Sequence, residues 1–179
     1  AAYAADPWAL IALTPGTLSV EAGVTSGLLA AVIAGQRRQL RLQPTLAALA
    51  PALVAISAAI NLANFLSGDA FGAPTSLPWA IWLWGAARHP TQLYELAAAL
   101  AVWALIWWGP FRADRRGLNF VIGVAGLAAS RLVFEAVRGD SVIWAGGWRA
   151  AQLGALAILG AALVWLRRWA RAANAGNPE

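Results

Sequence analysis

The sequence predicts an all-α, polytopic transmembrane helix bundle of about five spans. Three observations carry that expectation. Of 179 residues, 60% are hydrophobic and 12% are charged, against about 45–50% and about 25% in soluble domains. The mean hydropathy is +0.62, and the apolar residues fall in runs near the roughly 20 residues that cross a bilayer. Arginines cluster between those runs and tryptophans at their ends. This composition excludes a soluble globular enzyme and a disordered chain.

The first run covers about residues 18–35 and the second about 45–66. The third starts after His89-Pro90 and ends near Trp108; the fourth covers about 118–137 and the fifth about 148–166. A shorter apolar piece, 8–14, is ended by Pro15-Gly16 and suits the interface. The expected organisation is a single transmembrane domain over 1–179, with an outer-face segment 1–16, a bundle over 17–168 and a cytoplasmic tail over 169–179. The polar stretch from Asn174 onward is expected to fray. Position 1 is not Met, and Ala1-Ala2-Tyr3-Ala4-Ala5 resembles the tail of a cleaved leader, so the chain is not expected to begin at its initiator.

Charge gives the orientation. Arg37, Arg38 and Arg41 follow the first run, Arg112, Arg115 and Arg116 the third, and Arg167, Arg168 and Arg171 the fifth. Those nine lie on one side; Arg88, Arg138 and Arg149 lie on the other, and Arg131 inside the fourth run completes the 13. The larger set is expected in the cytoplasm, with the N-terminus outside and the C-terminus inside. Of the 11 tryptophans, Trp79, Trp82, Trp84, Trp144 and Trp148 fall at outer ends, and Trp107, Trp108, Trp165 and Trp169 at inner ends. Indole rings favour the headgroup zone, so these read as anchors.

The pI near 11.3 then follows from topology, and no nucleic-acid partner is expected. The absence of cysteine excludes disulfides and thiolate chemistry, and one histidine argues against a metal centre. No cofactor is expected.

Inside a bilayer the informative residues are polar, because an ionisable group at depth is costly and is by default a functional hypothesis. Arg131, Glu135 and Arg138 are spaced i, i+4, i+7 and are expected on one helical face. Arg131 and Glu135 can pair, and two arginines about one glutamate leave a surplus positive charge that suits an anionic lipid headgroup. A structural ion pair explains the same spacing. Arg88-His89-Pro90-Thr91-Gln92-Leu93-Tyr94-Glu95 opens the third run, with Pro90 expected in the first helical turn. His89 suits a general base or a headgroup donor; helix capping and interface anchoring are the plainer reading. A third set, Asn61, Asn64, Gly68 and Asp69, ends the second run. Asp69 is placed to pair with Arg131 or Arg88, while Glu21 is a lone carboxylate near the outer start of the first run.

These residues carry a family resemblance. The octapeptide 88–95 resembles the R-H-P-S/T-Q-L-Y-E motif of prolipoprotein diacylglyceryl transferases. Residues 64–78 resemble the family segment N-F-apolar-N-G-E-x-x-G followed by L-P-W, and Arg131, Glu135 and Arg138 resemble its R-x-x-x-E-x-x-R helix. Residues 147–153 are similar to its last-helix entry, with Gln152 retained. The resemblance covers roughly residues 6–168, with the family's first spans missing. It implies a bacterial plasma-membrane, multi-pass bundle that moves diacylglyceryl from phosphatidylglycerol to the lipobox cysteine of a prolipoprotein, with arginines holding the lipid phosphate.

Departures shape the functional expectation. Where the family has Gly-Arg the chain has Ile60-Asn61, and the resemblance implies that this arginine is essential. Ser67 and Asp69 stand for an Asn and a Glu, and Glu21 falls where a histidine is expected. The leading expectation is a catalytically degenerate pseudoenzyme: a lipid-binding accessory or structural subunit of a larger membrane complex. Its lipid contacts would be Arg88, Gln92, Asn64, Asp69, Arg131 and Arg138, and its partners an anionic phospholipid and other membrane subunits. Small-residue faces at 97–99 and 123–129 would pack against those subunits. The alternative is an active transferase using His89, Tyr94, Arg131 and Glu135, with a prolipoprotein lipobox peptide as partner.

Overall fold

A computed structural model describes residues 20–109, 117–144 and 146–175. The expected outer-face segment 1–16, Arg112, Arg115, Arg116 and residues 176–179 lie outside the described residues, as do the side chains of Glu21 and Trp169. The chain divides into two compact units, Ala1–Leu42 and Gln43–Glu179.

In the first unit, α1 spans Val20–Arg37. It ends in a turn where Leu40 N–H donates to the Gly35 carbonyl at 2.9 Å and Gln39 takes φ 50°.

The second unit carries α2 (Leu42–Ser67), a hairpin of β1 (Ile81–Leu83) and β2 (Ala86–Arg88), α3 (Thr91–Trp108), α4 (Leu118–Phe134) and α5 (Ala150–Ala175). A turn of 3-10 helix, Glu135–Val137, follows α4. Among the described residues, three segments are long and apolar enough to cross a membrane: Leu42–Ser67, Leu118–Val137 and Ala150–Arg168. The other two expected runs, the first and third, coincide with α1 and α3, which are helical but not among these three segments. α5 continues to Ala175, so Asn174, expected to fray, is helical.

The hairpin corrects the purely helical expectation. β1 and β2 pair antiparallel, Ile81 opposite Arg88 and Leu83 opposite Ala86, about a turn at Trp84 and Gly85 with φ 52° and 76°. Two positive-φ residues at a two-residue turn match strand twist. A backbone run at 71–75 extends this patch: Thr75 N–H donates to Ala87 O, His89 N–H to Ala73 O, Ala73 N–H to Val137 O and Gly139 N–H to Phe71 O, at 2.8–3.1 Å. That run ties the start of α3 to the end of α4. Gly72 is required there, because a Cβ would stand 2.6 Å from His89 Cβ.

The core is small. Ala50 and Val54 of α2 meet Ala99 and Ile106 of α3, flanked by Val102, Phe120 and Leu127. α4 packs against both α3 and α5. Asn119 Nδ2 donates to Ala47 O at 3.1 Å, joining the start of α4 to α2. Gly123 faces Ile106 and Val54, and Gly126 faces Val102. The expected partner-facing stripe at 123–129 is thus used within the unit, where small residues let helix backbones approach closely. Ala99 of the other stripe is also fully buried.

Candidate functional site

The start of α3 and the end of α4 hold a cluster of charges. Arg131 Nη1 lies 3.1 Å from Glu95 Oε1, and Arg131 Nε lies 3.1 Å from Glu135 Oε2. Arg138 Nη1 lies 3.4 Å from Glu95 Oε1, and its Nε lies 3.7 Å from Glu135 Oε2. Arg138 also grips Asp140 in a two-pronged fork, Nε to Oδ1 at 2.9 Å and Nη2 to Oδ2 at 2.7 Å. Glu135 is 1% exposed and Arg138 7%. Glu135 Oε2 has no aligned hydrogen bond, so its contacts with the arginines are charge pairing. Burial alone would lower the pKa of Arg138, but the hydrogen bond and charge of Asp140, with Glu95 and Glu135, outweigh it and raise the value.

Helical continuity does not make this cluster. α4 ends at Phe134, and Arg138 has extended backbone with ψ 143°. The expected shared face is therefore broken after Glu135; the 3-10 turn and the 71–75 run bring Arg138 back. Arg149 holds that turn. Its Nη1 donates to Glu135 O at 2.7 Å, Arg138 O at 3.1 Å and Ser141 Oγ at 2.6 Å. Gln152 Nε2 adds a bond to Leu132 O at 3.3 Å. Arg149, just before α5, and Gln152 in its first turn thus tie the start of α5 to the end of α4.

The charges border a cleft of about 540 Å3. Its polar wall is Ser57, Asn61 and Asn64 of α2, Glu95 of α3, Ser130 and Arg131 of α4, and Arg138; Leu53, Ile56, Ile60 and Leu127 complete it. A second cleft of about 390 Å3 lies between α4 and α5, apolar apart from Arg131, which lines both.

The sequence-chosen residues separate into groups. Asn64, Arg131 and Arg138 line the cleft, and Glu135 stands behind it. Arg88 instead braces the hairpin, donating to Leu83 O at 3.0 Å and Gly72 O at 3.3 Å over the Phe71 ring. Gln92, 1% exposed, donates to Asp69 O at 2.7 Å. Asp69 accepts from Ser67 Oγ at 2.8 Å rather than pairing with Arg131 or Arg88, because the turn after α2 directs it to solvent. His89 Nδ1 lies 3.5 Å from Tyr94 Oη, which accepts from Trp79 Nε1 at 2.7 Å. Trp79 and Trp84, expected as anchors, thus also bond internally, Trp84 to Gly68 O at 2.9 Å. Pro90 is the residue before α3 rather than in its first turn.

The residue missed by sequence reasoning is Glu95. It belongs to the octapeptide, yet pairing across helices is invisible to spacing along one helix. Its arrival corrects the expected surplus positive charge: two arginines meet two glutamates and Asp140.

A family model described as prolipoprotein diacylglyceryl transferase matches residues 1–168. The chain belongs to the prolipoprotein diacylglyceryl transferase family. Among curated relatives named phosphatidylglycerol--prolipoprotein diacylglyceryl transferase, that of Trichormus variabilis is 32% identical over 157 residues, covering 79% of this chain and 56% of the relative. The Bordetella parapertussis protein is 29% identical over 141 residues, 76% of this chain and 54% of its own. The Corynebacterium glutamicum protein is 30% identical over 162 residues, 76% and 50%. This family member spans about half the length of the curated relatives it matches.

Proposed function

We propose that this family member is a pseudoenzyme that binds phospholipid in the cleft at Arg131. It crosses a bacterial plasma membrane five times, N-terminus outside and C-terminus inside, as a single transmembrane domain with a cytoplasmic tail. Nine arginines against three support that orientation. One observation carries the loss of transfer chemistry. The position of α2 where the family motif has arginine is Asn61, whose Nδ2 donates to Ser57 O at 3.1 Å. No spare cation lines the cleft among the described residues. A role as accessory or structural subunit fits helices whose spanning windows are 11–22% buried, leaving apolar faces for lipid or other subunits.

Gentle solubilisation from native membranes, followed by mass spectrometry, tests this. Bound phospholipid and stoichiometric membrane-protein partners are expected. A chain that purifies alone contradicts the subunit role.

A second reading is favoured by the intact octapeptide at 88–95 and by the relatives' names. In an active transferase, Arg131 and Arg138 would hold the phosphate and His89 or Glu135 would take the thiol proton of a lipobox cysteine. Tyr94 would steady His89. Glycerol phosphate would leave as the diacylglyceryl carbon joins sulfur. Co-purifying prolipoproteins would favour it.

A further inference from the structure

We infer that Asn119, which does not line the cleft, is a positioning residue that sets the cleft's width by holding α2 at its internal proline. Its consequence, control of lipid access, rests on the lipid-binding reading above.

α2 lacks one hydrogen bond. Pro51 lies well inside α2. A proline there has no N–H for the carbonyl four residues back, and its ring crowds that carbonyl, so helices bend at such points. The carbonyl concerned is that of Ala47. Within a membrane a carbonyl freed in this way is satisfied by a neighbouring element. Asn119, in the first turn of α4, does this: its Nδ2 donates to Ala47 O at 3.1 Å. The other end of the amide is also committed. Its Oδ1 accepts from Phe120 N–H at 2.9 Å, one of the donors that the first turn of a helix leaves unpaired. The amide is thus fixed in direction, and Asn119 is buried. Gly117 brings it there. Its φ of 85° turns the chain into α4, and a Cβ on it would stand 3.3 Å from Gln43 O.

The cleft lies on the far side of the bend. Every α2 residue that lines it, from Leu53 to Asn64, follows Pro51, whereas the Asn119 bond grips the segment before it. The facing wall, Glu95, Leu127, Ser130 and Arg131, belongs to α3 and α4. Those two helices pack closely on each other, and α2 packs more loosely. Just past its end α2 is held again, where Trp84 Nε1, Gln92 Nε2 and Thr91 Oγ1 donate to the carbonyls of Gly68, Asp69 and Ala70. The stretch between the two grips is the wall of the cleft, and the bend at Pro51 decides how far it stands from α4. A change of about 20° in that bend, over the roughly 16 Å of helix from Pro51 to Leu62, displaces the wall by at most about 5 Å.

The chain has no cysteine, so spin labels can be placed at Leu62→Cys on α2 and Val133→Cys on α4, both exposed and neither lining the cleft. In nanodiscs, the distance between the labels on the full chain is expected to shift or broaden by about 2–5 Å in Asn119→Ala. In a Pro51→Ala background the new N–H serves Ala47 O, and Asn119→Ala is expected to leave the distance unchanged. No change in the first background, or the same change in both, overturns the inference, whatever happens to the melting temperature. Asn119→Asp, which keeps the acceptor for Phe120 and loses the donor, serves if the alanine variant does not fold. Bound phospholipid is expected to exchange faster from Asn119→Ala, and an unchanged rate beside a changed distance contradicts the control of access. A chain that retains no lipid in any form overturns the lipid-binding reading, while the distances still decide the role of Asn119.

Discussion

Glu95 of α3 meets Arg131 of α4 at 3.1 Å, across 36 residues of chain. The pairing depends on Gly126, whose missing side chain lets α4 lie against Val102 of α3. It converts an apparent cationic lipid seat into a balanced one, and most consequences of the structure follow from it.

Glu135 is the most buried member of that cluster, at 1% exposure. Removing one partner of a buried ion pair leaves the other uncompensated and costs about 3–5 kcal/mol. Glu135→Ala is therefore expected to lower the melting temperature in detergent markedly, and an unchanged value would show that the pair is not buried.

Gly72 lies against His89, where a Cβ would be 2.6 Å from His89 Cβ and 2.9 Å from its carbonyl carbon. Neither neighbour can move without displacing backbone. Gly72→Ala is expected to destabilise by about 1–3 kcal/mol, as overpacking does. Because the chain has one histidine, the imidazole NMR signal reports the local change directly. A coincident signal would contradict the close approach.

Arg149 makes its contacts through a single nitrogen, Nη1. Arg149→Ala leaves two carbonyls and a hydroxyl without that donor, and a loss of about 1–3 kcal/mol is expected. That nitrogen carries two N–H groups for three acceptors, whereas an ammonium offers three on one nitrogen. Arg149→Lys is therefore expected to recover part of the loss in thermal melts; Lys behaving as Ala would show that the guanidinium plane matters instead.

Gly126→Leu drives a large side chain into Val102 Cγ2, already 2.5 Å from where a Cβ would stand. The expected result is separation of α3 from α4 and loss of the Glu95 contacts, read as lowered melting temperature together with increased lipid exchange from the cleft.

Much of this was legible in the sequence. Apolar run length placed the five helices of the described residues, three of which are long and apolar enough to cross a membrane. The octapeptide located the turn into α3, and the pair Arg131–Glu135 was visible as i, i+4 spacing. Three things were not. The hairpin at 81–88 is three residues per strand, short of any alternation that could be read. Arg138 reaches the cluster through a 3-10 turn, which breaks helical periodicity. Glu95 joins it only because α3 packs on α4, and sequence spacing within one helix carries no record of its neighbour's partner.

The most direct measurement of the central claim is a transfer assay. Purified chain would be given labelled phosphatidylglycerol and a lipobox peptide, and thioether-linked diacylglyceryl peptide and released glycerol phosphate would be counted. No product above background is expected for the wild-type chain, because Asn61 stands where the family motif has arginine and supplies no charge. Product formed at steady turnover by the wild-type chain would contradict it and establish the transferase reading in its place.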